Sequence, residues 1–247
     1  RPDTVLVSIM FANNEIGTIE PIKELCEVAH KHGVIFHTDA VQATGAVKYN
    51  VKELGVDLLS MSAHKFYGPK GMGMLYVRNG LPIEKLLTGG EQERSHRGGT
   101  SNVPGIVGMA TALDEAVATI DEDDAYVASL RDHFVERVLN EIDDIYYNGA
   151  KDTSKRLPNN ANFSFRYIEG ESILFSLDLA GISASSGSAC SSGSLEPSRT
   201  LLAIGTAHGS IRFTFGKHNT MEQVDYTVDE LVKIVKRLRD MSPLYKK

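Results

Sequence analysis

The sequence predicts an α/β protein that has a large domain built on a mostly parallel sheet and a smaller α+β domain at its C-terminal end. Across the first part of the chain, short β-branched or apolar runs alternate with helical segments. This alternation is typical of a parallel sheet with crossover helices. A polar loop after Asn148, followed by a strand, a helix and a strand, predicts the second domain. We place the large domain at residues 1–112, and a bridging helix with the small domain at residues 113–247.

Composition limits the class of protein and its partners. The 247 residues are 42% hydrophobic and 23% charged, with a net charge of -6, as in a compact globular protein without affinity for nucleic acid. No uninterrupted apolar run approaches the roughly 18 residues of a membrane span, so no membrane partner is expected. Two cysteines, Cys26 and Cys190, are too few for a disulfide scaffold and favour a reducing, cytoplasmic compartment. His30, His32 and His37 are interpreted as helix-end and strand residues, and no metal site is expected.

The apolar pattern of the large domain predicts four strands and a crossover helix. The strands are expected at residues 5–10, 34–37, 58–61 and 73–77. Pro21 can begin the helix between the first two strands, and Gly33 can end it. One face of this helix carries Ile22, Leu25, Cys26 and Ala29. Cys26 is therefore predicted to be a buried core side chain without chemistry.

The second half of the chain is predicted to be a long helical region followed by the small domain. Helical spacing extends over about residues 104–140, with an acidic interruption at residues 121–124. The small domain is expected to have strands at residues 161–165 and 211–215 and a helix at residues 171–179. A last helix should begin at Thr220, with Gln223 completing a capping box. Its apolar face carries Val224, Val228, Leu231, Val235 and Leu238.

Polar and reactive side chains follow two predicted strands of the large domain. Asp39 and Gln42 stand in HTDAVQATG after the second strand, and Ser62, His64 and Lys65 stand in SMSAHKFYGPKGMG after the third. Ligands bind at the carboxyl ends of strands in open α/β sheets. Ser62 and His64 can donate hydrogen bonds to a phosphate, and Lys65 can act as an amine nucleophile. Pyridoxal phosphate needs such a lysine and commonly an acid, here Asp39, so the sequence predicts a pyridoxal phosphate site.

Two further side chains are candidates for the reaction. Cys190 lies in SASSGSACSSGSLEP, residues 183–197, among serines and glycines instead of apolar residues. A polar loop keeps a thiol accessible, so Cys190 is predicted to be reactive. Arg212 lies on a predicted strand in HGSIRF, where its guanidinium group can hold a substrate carboxylate or form an ordinary surface ion pair.

Together these motifs resemble those of a cysteine desulfurase of the group that serves iron–sulfur cluster assembly. The resemblance covers essentially the whole chain and implies a fold-type I pyridoxal phosphate enzyme. The Cys190 loop is the most specific motif, because related aminotransferases share the lysine and the acid without the thiol. The matching motifs are NNEIG (13–17), HTDAVQATG (37–45), SAHKFYGPKG (62–71), RGGT (97–100), SSGSACSSGSLEPS (185–198) and HGSIRF (208–213).

The resemblance implies a role for each cofactor residue. Lys65 would bond covalently to the cofactor aldehyde, and Asp39 would pair with the pyridinium nitrogen. Gln42 would hydrogen-bond the ring hydroxyl, while Ser62 and His64 would bind the phosphate.

The resemblance also implies the residues that meet the substrate and a second subunit. Asn14, which borders the cofactor, and Arg212 would hold the carboxylate of L-cysteine. Cys190 would accept sulfur as a persulfide, leaving L-alanine, and pass it to an iron–sulfur scaffold protein or another acceptor. Thr100 would contribute to the phosphate site of the partner subunit in a homodimer.

Two departures from the family pattern leave alternatives open. Family members carry a longer N-terminal portion, with a threonine loop for the phosphate and a histidine stacked on the cofactor ring, which nothing before Arg1 supplies. The stretch between Gly205 and His208 is also shorter than the family pattern. The alternatives are a selenocysteine lyase or an aminotransferase on the same fold, or an incomplete fragment that serves dimerisation or docking.

Overall fold

A computed structural model of the chain describes residues 1–187, 198–206 and 209–245. These residues belong to two compact units. The first unit comprises Arg1–Phe11 and Glu20–Ile120, and the second comprises Ala12–Ile19 and Asp121–Lys247. The division therefore falls inside the long helix, and a short N-terminal segment belongs to the second unit.

The first unit is built on a four-stranded sheet. The strands lie in the order β1-β2-β3-β4, with β1, β2 and β3 parallel and β4 antiparallel to β3. This mixed sheet with helices confirms the predicted α/β class. The elements are β1 (Leu6–Met10), α1 (Ile22–Lys31), β2 (Ile35–Asp39), α2 (Val51–Leu54), β3 (Leu58–Ser62), β4 (Gly73–Val77), a short turn α3 (Gln92–Ser95) and the first part of α4 (Val103–Glu141).

The crossover helix α1 buries the face that the apolar spacing predicts. Ile22, Cys26 and Ala29 are buried along this face. Pro21 precedes the first helical residue, and Gly33 adopts a φ of 70° just beyond the last turn. A positive φ is easily reached only without a Cβ, so Gly33 lets the chain turn from α1 into β2.

A buried carboxylate at the start of β3 joins several elements of this unit. Asp57 is 1% exposed and accepts a hydrogen bond of 2.7 Å from the backbone N–H of Phe36. Its oxygens also lie 2.8 Å from Nε2 of His30 on α1 and 2.7 Å from the guanidinium group of Arg78 after β4. Burial acts to raise the pKa of Asp57, but these partners outweigh it and hold the pKa below its ordinary value.

The second unit is a three-stranded antiparallel sheet covered by helices. Its strands lie in the order β5-β6-β7. The elements are the second part of α4, β5 (Ile145–Tyr147), β6 (Asn160–Phe165), α5 (Gly170–Leu179), α6 (Arg199–Ala203), β7 (Ser210–Thr214) and α7 (Met221–Met241). The largest buried side chains of its core include Leu130, Phe134, Phe163, Phe165, Ile173 and Leu177.

The last helix begins with the predicted capping box. The hydroxyl of Thr220 accepts a hydrogen bond from the backbone N–H of Gln223, and the side chain of Gln223 accepts one from the backbone N–H of Thr220. Val224, Val228, Leu231 and Val235 are buried, as their spacing predicts. The box and the apolar face together fix the start and the rotation of α7.

The helix α4 is, by length and composition alone, long and apolar enough to cross a membrane. The core helix of a soluble protein passes the same test. Leu130, Phe134 and Val138, in the second part of α4, are fully buried in the core of the second unit. The apolar stretch that meets this criterion is 22% buried.

Candidate active site

The first group of predicted site residues lies at the carboxyl edge of the first sheet. Asp39 ends β2 and pairs in register with Ser60 of β3, so Ser62 lies two residues farther along the neighbouring strand. Oδ1 of Asp39 accepts a hydrogen bond of 2.9 Å from the backbone N–H of Val41, which fixes the carboxylate at the start of a turn. Gln42 is half-buried in that turn.

A single 3-10 turn over residues 63–66 presents the next two residues. Ala63 and Phe66 are buried and anchor the turn, while His64 and Lys65 between them are exposed. Oγ of Ser62 lies 2.8 Å from Nδ1 of His64. The turn therefore joins the hydroxyl and the imidazole and places the amine of Lys65 next to them along the chain.

The donor set at this edge fits pyridoxal phosphate. A phosphate needs hydrogen-bond donors, which the joined Ser62 and His64 side chains provide. An aldehyde needs an amine, which the exposed Lys65 provides, and a pyridinium nitrogen is matched by the acid Asp39 at the adjacent strand end. The structure thus brings Asp39, Ser62, His64 and Lys65 to one edge of one sheet.

Thr100 lies in the same unit, in the loop before α4. It is exposed and follows Gly99, whose φ is 92°. Its predicted contribution to the phosphate site of a partner subunit stays a prediction.

Asn14 and Arg212 meet in the second unit. Arg212 lies on β7, opposite Asn162 of β6, and its guanidinium group donates a hydrogen bond of 2.9 Å to the backbone carbonyl of Asn14. Both side chains are half-buried. The structure therefore joins the two residues that the resemblance assigns to the substrate carboxylate.

The two cysteines differ in what the structure describes. Cys190 lies outside the described residues, as does His208, so the role of Cys190 stays a prediction. Cys26 is 1% exposed, which confirms its predicted burial. Burial, and then the nearby Asp57 carboxylate, raise the pKa of the Cys26 thiol above its ordinary value. A protonated, buried thiol is a poor nucleophile, so Cys26 is not a rival sulfur acceptor.

Sequence reasoning missed Glu15, a buried acid in the second unit. Glu15 is 7% exposed, and one of its carboxyl oxygens accepts a hydrogen bond from the hydroxyl of Ser198. Its other carboxyl oxygen lies 3.4 Å from Oγ1 of Thr200. One sign was present in the sequence: Glu15 lies inside the NNEIG motif (13–17), directly after Asn14, a candidate substrate ligand.

The fold is that of the fold-type I pyridoxal phosphate enzymes. Residues 1–227 match the family Aminotransferase class-V, and the chain belongs to that family. Members of this family depend on pyridoxal phosphate, in agreement with the predicted cofactor.

The chain is similar to named cysteine desulfurases, as its motifs predicted. It is 56% identical to "Cysteine desulfurase IscS" of Dictyoglomus turgidum, over 98% of this chain and 62% of the relative. It is 53% identical to "Cysteine desulfurase IscS" of Methanosarcina thermophila, over 99% of this chain and 61% of the relative. A solved structure named "NIFS-LIKE PROTEIN" superposes with a TM-score of 0.86 at 38% identity, over 96% of this chain and 62% of that one. The chain thus spans about 62% of the length of these curated relatives.

Proposed function

We propose that this chain is the part of a cysteine desulfurase that binds pyridoxal phosphate and supplies the sulfur-accepting thiol. In the overall reaction, L-cysteine and the Cys190 thiol give L-alanine and a persulfide on Cys190. The observation that carries the proposal is the sheet edge where the Ser62–His64 pair and Lys65 follow β3, beside Asp39 at the end of β2. Similarity to the IscS relatives supports the choice of L-cysteine as substrate.

The side chains at the sheet edge would hold the cofactor. Ser62 and His64 would donate hydrogen bonds to the phosphate, and Asp39 would keep the ring nitrogen protonated by charge attraction. Gln42, in the turn after Asp39, would reach the ring hydroxyl. When bound, pyridoxal phosphate supplies an electron sink next to the substrate carbon.

Lys65 and Cys190 would carry the proton and the sulfur. Nζ of Lys65 would take the proton from Cα of L-cysteine and return it as a general acid. The Cys190 thiolate would attack the substrate sulfur, forming a sulfur–sulfur bond as the carbon–sulfur bond breaks, and the substrate carbon would gain a proton in place of sulfur. Because the thiolate is the nucleophile, sulfur transfer should slow when the Cys190 thiol is protonated.

Arg212 and Asn14 would orient the substrate. The guanidinium fork of Arg212 matches a carboxylate in shape and charge. This guanidinium group donates a hydrogen bond to the backbone carbonyl of Asn14. The bond fixes the orientation of the guanidinium group relative to Asn14, beside which the substrate would lie.

We also propose that the full-length protein is a cytoplasmic homodimer that passes sulfur to an iron–sulfur scaffold protein or another acceptor. The sparing use of cysteine supports the reducing compartment. The first part of α4 exposes Val103, Ile106, Val107 and Val117, an apolar surface of the kind that subunit contacts cover. The mass of the purified full-length protein in solution, measured by light scattering, tests the dimer.

Product analysis of the full-length protein tests the activity. With L-cysteine and a thiol acceptor, the proposal requires alanine and sulfane sulfur in equal amounts. A keto acid product would instead indicate an aminotransferase, and a strong preference for selenocysteine would indicate a selenocysteine lyase. A full-length protein that binds no pyridoxal phosphate would be a docking or dimerisation module.

A further inference from the structure

One face of the second sheet is polar although it is buried. The apolar residues of β6 belong to the hydrophobic core, and its polar residues Asn160, Asn162 and Ser164 alternate with them on the other face. These three polar residues are at most 3% exposed. A buried polar group costs free energy unless it is hydrogen-bonded, so the partners of this face show what it holds.

The central residue of the polar face, Asn162, bonds to the segment Ala12–Ile19. Nδ2 of Asn162 donates a hydrogen bond of 3.1 Å to the backbone carbonyl of Glu15. Oδ1 of Asn162 accepts a hydrogen bond of 2.8 Å from the side chain of Asn148, which also donates one of 2.8 Å to Oγ of Ser164. Both ends of the Asn162 amide are therefore bonded, and turning the amide over would break both bonds.

Arg212, the predicted substrate arginine, lies beside Asn162 on this face. The two residues are directly opposite each other in the register of β6 and β7, so their side chains are on the same side of the sheet. Arg212 donates its hydrogen bond of 2.9 Å to the carbonyl of Asn14, the residue before Glu15. Asn160 adds a hydrogen bond of 3.2 Å to the carbonyl of Glu15. Neighbouring side chains of the sheet thus bond consecutive carbonyls of one segment.

We infer that Asn162 is a positioning residue for the substrate carboxylate, because it holds the backbone that sets the geometry between Asn14 and Arg212. This inference rests on the proposed function, in which Asn14 and Arg212 hold the carboxylate of L-cysteine. Asn162 acts through the carbonyl of Glu15 and not by touching the substrate. Groups that are already held in their binding geometry lose less conformational freedom when the ligand arrives, so they bind it more tightly.

The test uses the full-length protein with pyridoxal phosphate bound and compares ligands with and without a carboxylate. L-Alanine carries the carboxylate, and cysteamine is L-cysteine without it. The absorbance of the bound cofactor reports the binding of both ligands, and alanine formation gives kcat and KM.

In Asn162→Ala, L-alanine should bind about fivefold more weakly and KM for L-cysteine should rise by the same factor, the effect of losing one hydrogen bond. Cysteamine binding and kcat should stay unchanged, because the carboxylate is held equally before and during the reaction. Asn162→Leu keeps the volume of the side chain and should give the same result, which separates the lost bond from a cavity. Asn159→Ala, at the asparagine just before β6, is the matched control and should change none of these constants.

The same measurements separate positioning from a general loss of stability. A smaller folded fraction lowers kcat and leaves KM and the affinity ratio of the two ligands unchanged. The inference is overturned if Asn162→Ala weakens L-alanine and cysteamine by the same factor, or if it weakens neither.

Arg212→Ala distinguishes failure of this inference from failure of the proposed function. If Arg212→Ala weakens L-alanine and Asn162→Ala does not, only the role of Asn162 is wrong. If Arg212→Ala leaves L-alanine binding unchanged, or if the wild-type protein forms no alanine from L-cysteine, the proposed function fails. Because the two residues act on one site, adding Asn162→Ala to Arg212→Ala should weaken L-alanine by less than it does in the wild-type protein.

Discussion

The hydroxyl of Ser62 lies 2.8 Å from Nδ1 of His64, so two predicted phosphate ligands form a hydrogen-bonded pair. Replacement Ser62→Ala removes one donor and leaves the imidazole without this partner. We expect about tenfold weaker binding of pyridoxal phosphate, because hydrogen bonds to charged groups are the stronger ones. Absorbance titration of the apoprotein measures the affinity. Ser172→Ala in the second unit is the control, and an unchanged affinity in Ser62→Ala would remove Ser62 from the site.

Lys65 is expected to be the residue that bonds covalently to the cofactor. In Lys65→Ala, pyridoxal phosphate should no longer become fixed to the protein by borohydride, because no amine remains to be reduced onto the aldehyde. Peptide mass spectrometry after reduction measures the attachment. Lys70 is another exposed lysine on the same loop, and Lys70→Ala should retain full attachment. Attachment that persists in Lys65→Ala would show that another lysine is used.

The two cysteines should respond in opposite ways to replacement. Cys190→Ala should abolish persulfide formation from L-cysteine and leave the cofactor absorbance intact, because the thiol and not the cofactor site is lost. Cys26→Ala should retain persulfide formation and lose about 1 kcal/mol of stability by leaving a small cavity in a buried site. Persulfide labelling and denaturant unfolding give the two readouts. Normal sulfur transfer by Cys190→Ala would contradict the role assigned to this thiol.

Asp57 should make the first unit sensitive to acid. Its pKa is lower folded than unfolded, so the folded carboxylate binds fewer protons and contributes stability above about pH 4 that is lost as the pH falls through its folded pKa. Asp57→Asn should therefore be less stable by about 2 kcal/mol near pH ~7, because it removes the negative charge that pairs with His30 and Arg78. The difference should shrink below about pH 4.

Urea unfolding at several pH values measures this dependence. Asp143→Asn, at an exposed acid, is the control and should follow the wild-type curve. A stability difference for Asp57→Asn that stays constant down to about pH 2 would mean that charge is not the cause.

Local pattern was sufficient to predict most elements of the fold. The predicted strand at residues 161–165 is observed as Asn160–Phe165, and the predicted helix at residues 171–179 is observed as Gly170–Leu179. Thr220 and Gln223 form the capping box because this interaction spans only three residues. The proximity of Asp39 to the end of β3 likewise follows from the rule that parallel strands end at one edge.

Contacts between distant parts of the chain could not be predicted in the same way. Glu15 is held by Asn160 and Asn162, and no local periodicity records a pairing between residues so far apart. The membership of Ala12–Ile19 in the second unit is likewise a long-range feature that no local spacing records. Burial of an acid depends on partners that are brought to it only by the folded chain.

The membership of residues 12–19 in the second unit has a consequence for how this protein can be dissected. The polypeptide passes from one unit to the other after Phe11, after Ile19 and after Ile120. A cut after Ile120 would therefore give a C-terminal piece without Ala12–Ile19. Asn160 and Asn162 donate hydrogen bonds to the backbone carbonyl of Glu15 in that segment. To express the second unit alone, Ala12–Ile19 should be joined to the C-terminal stretch through a linker, because neither unit is a continuous stretch of the chain.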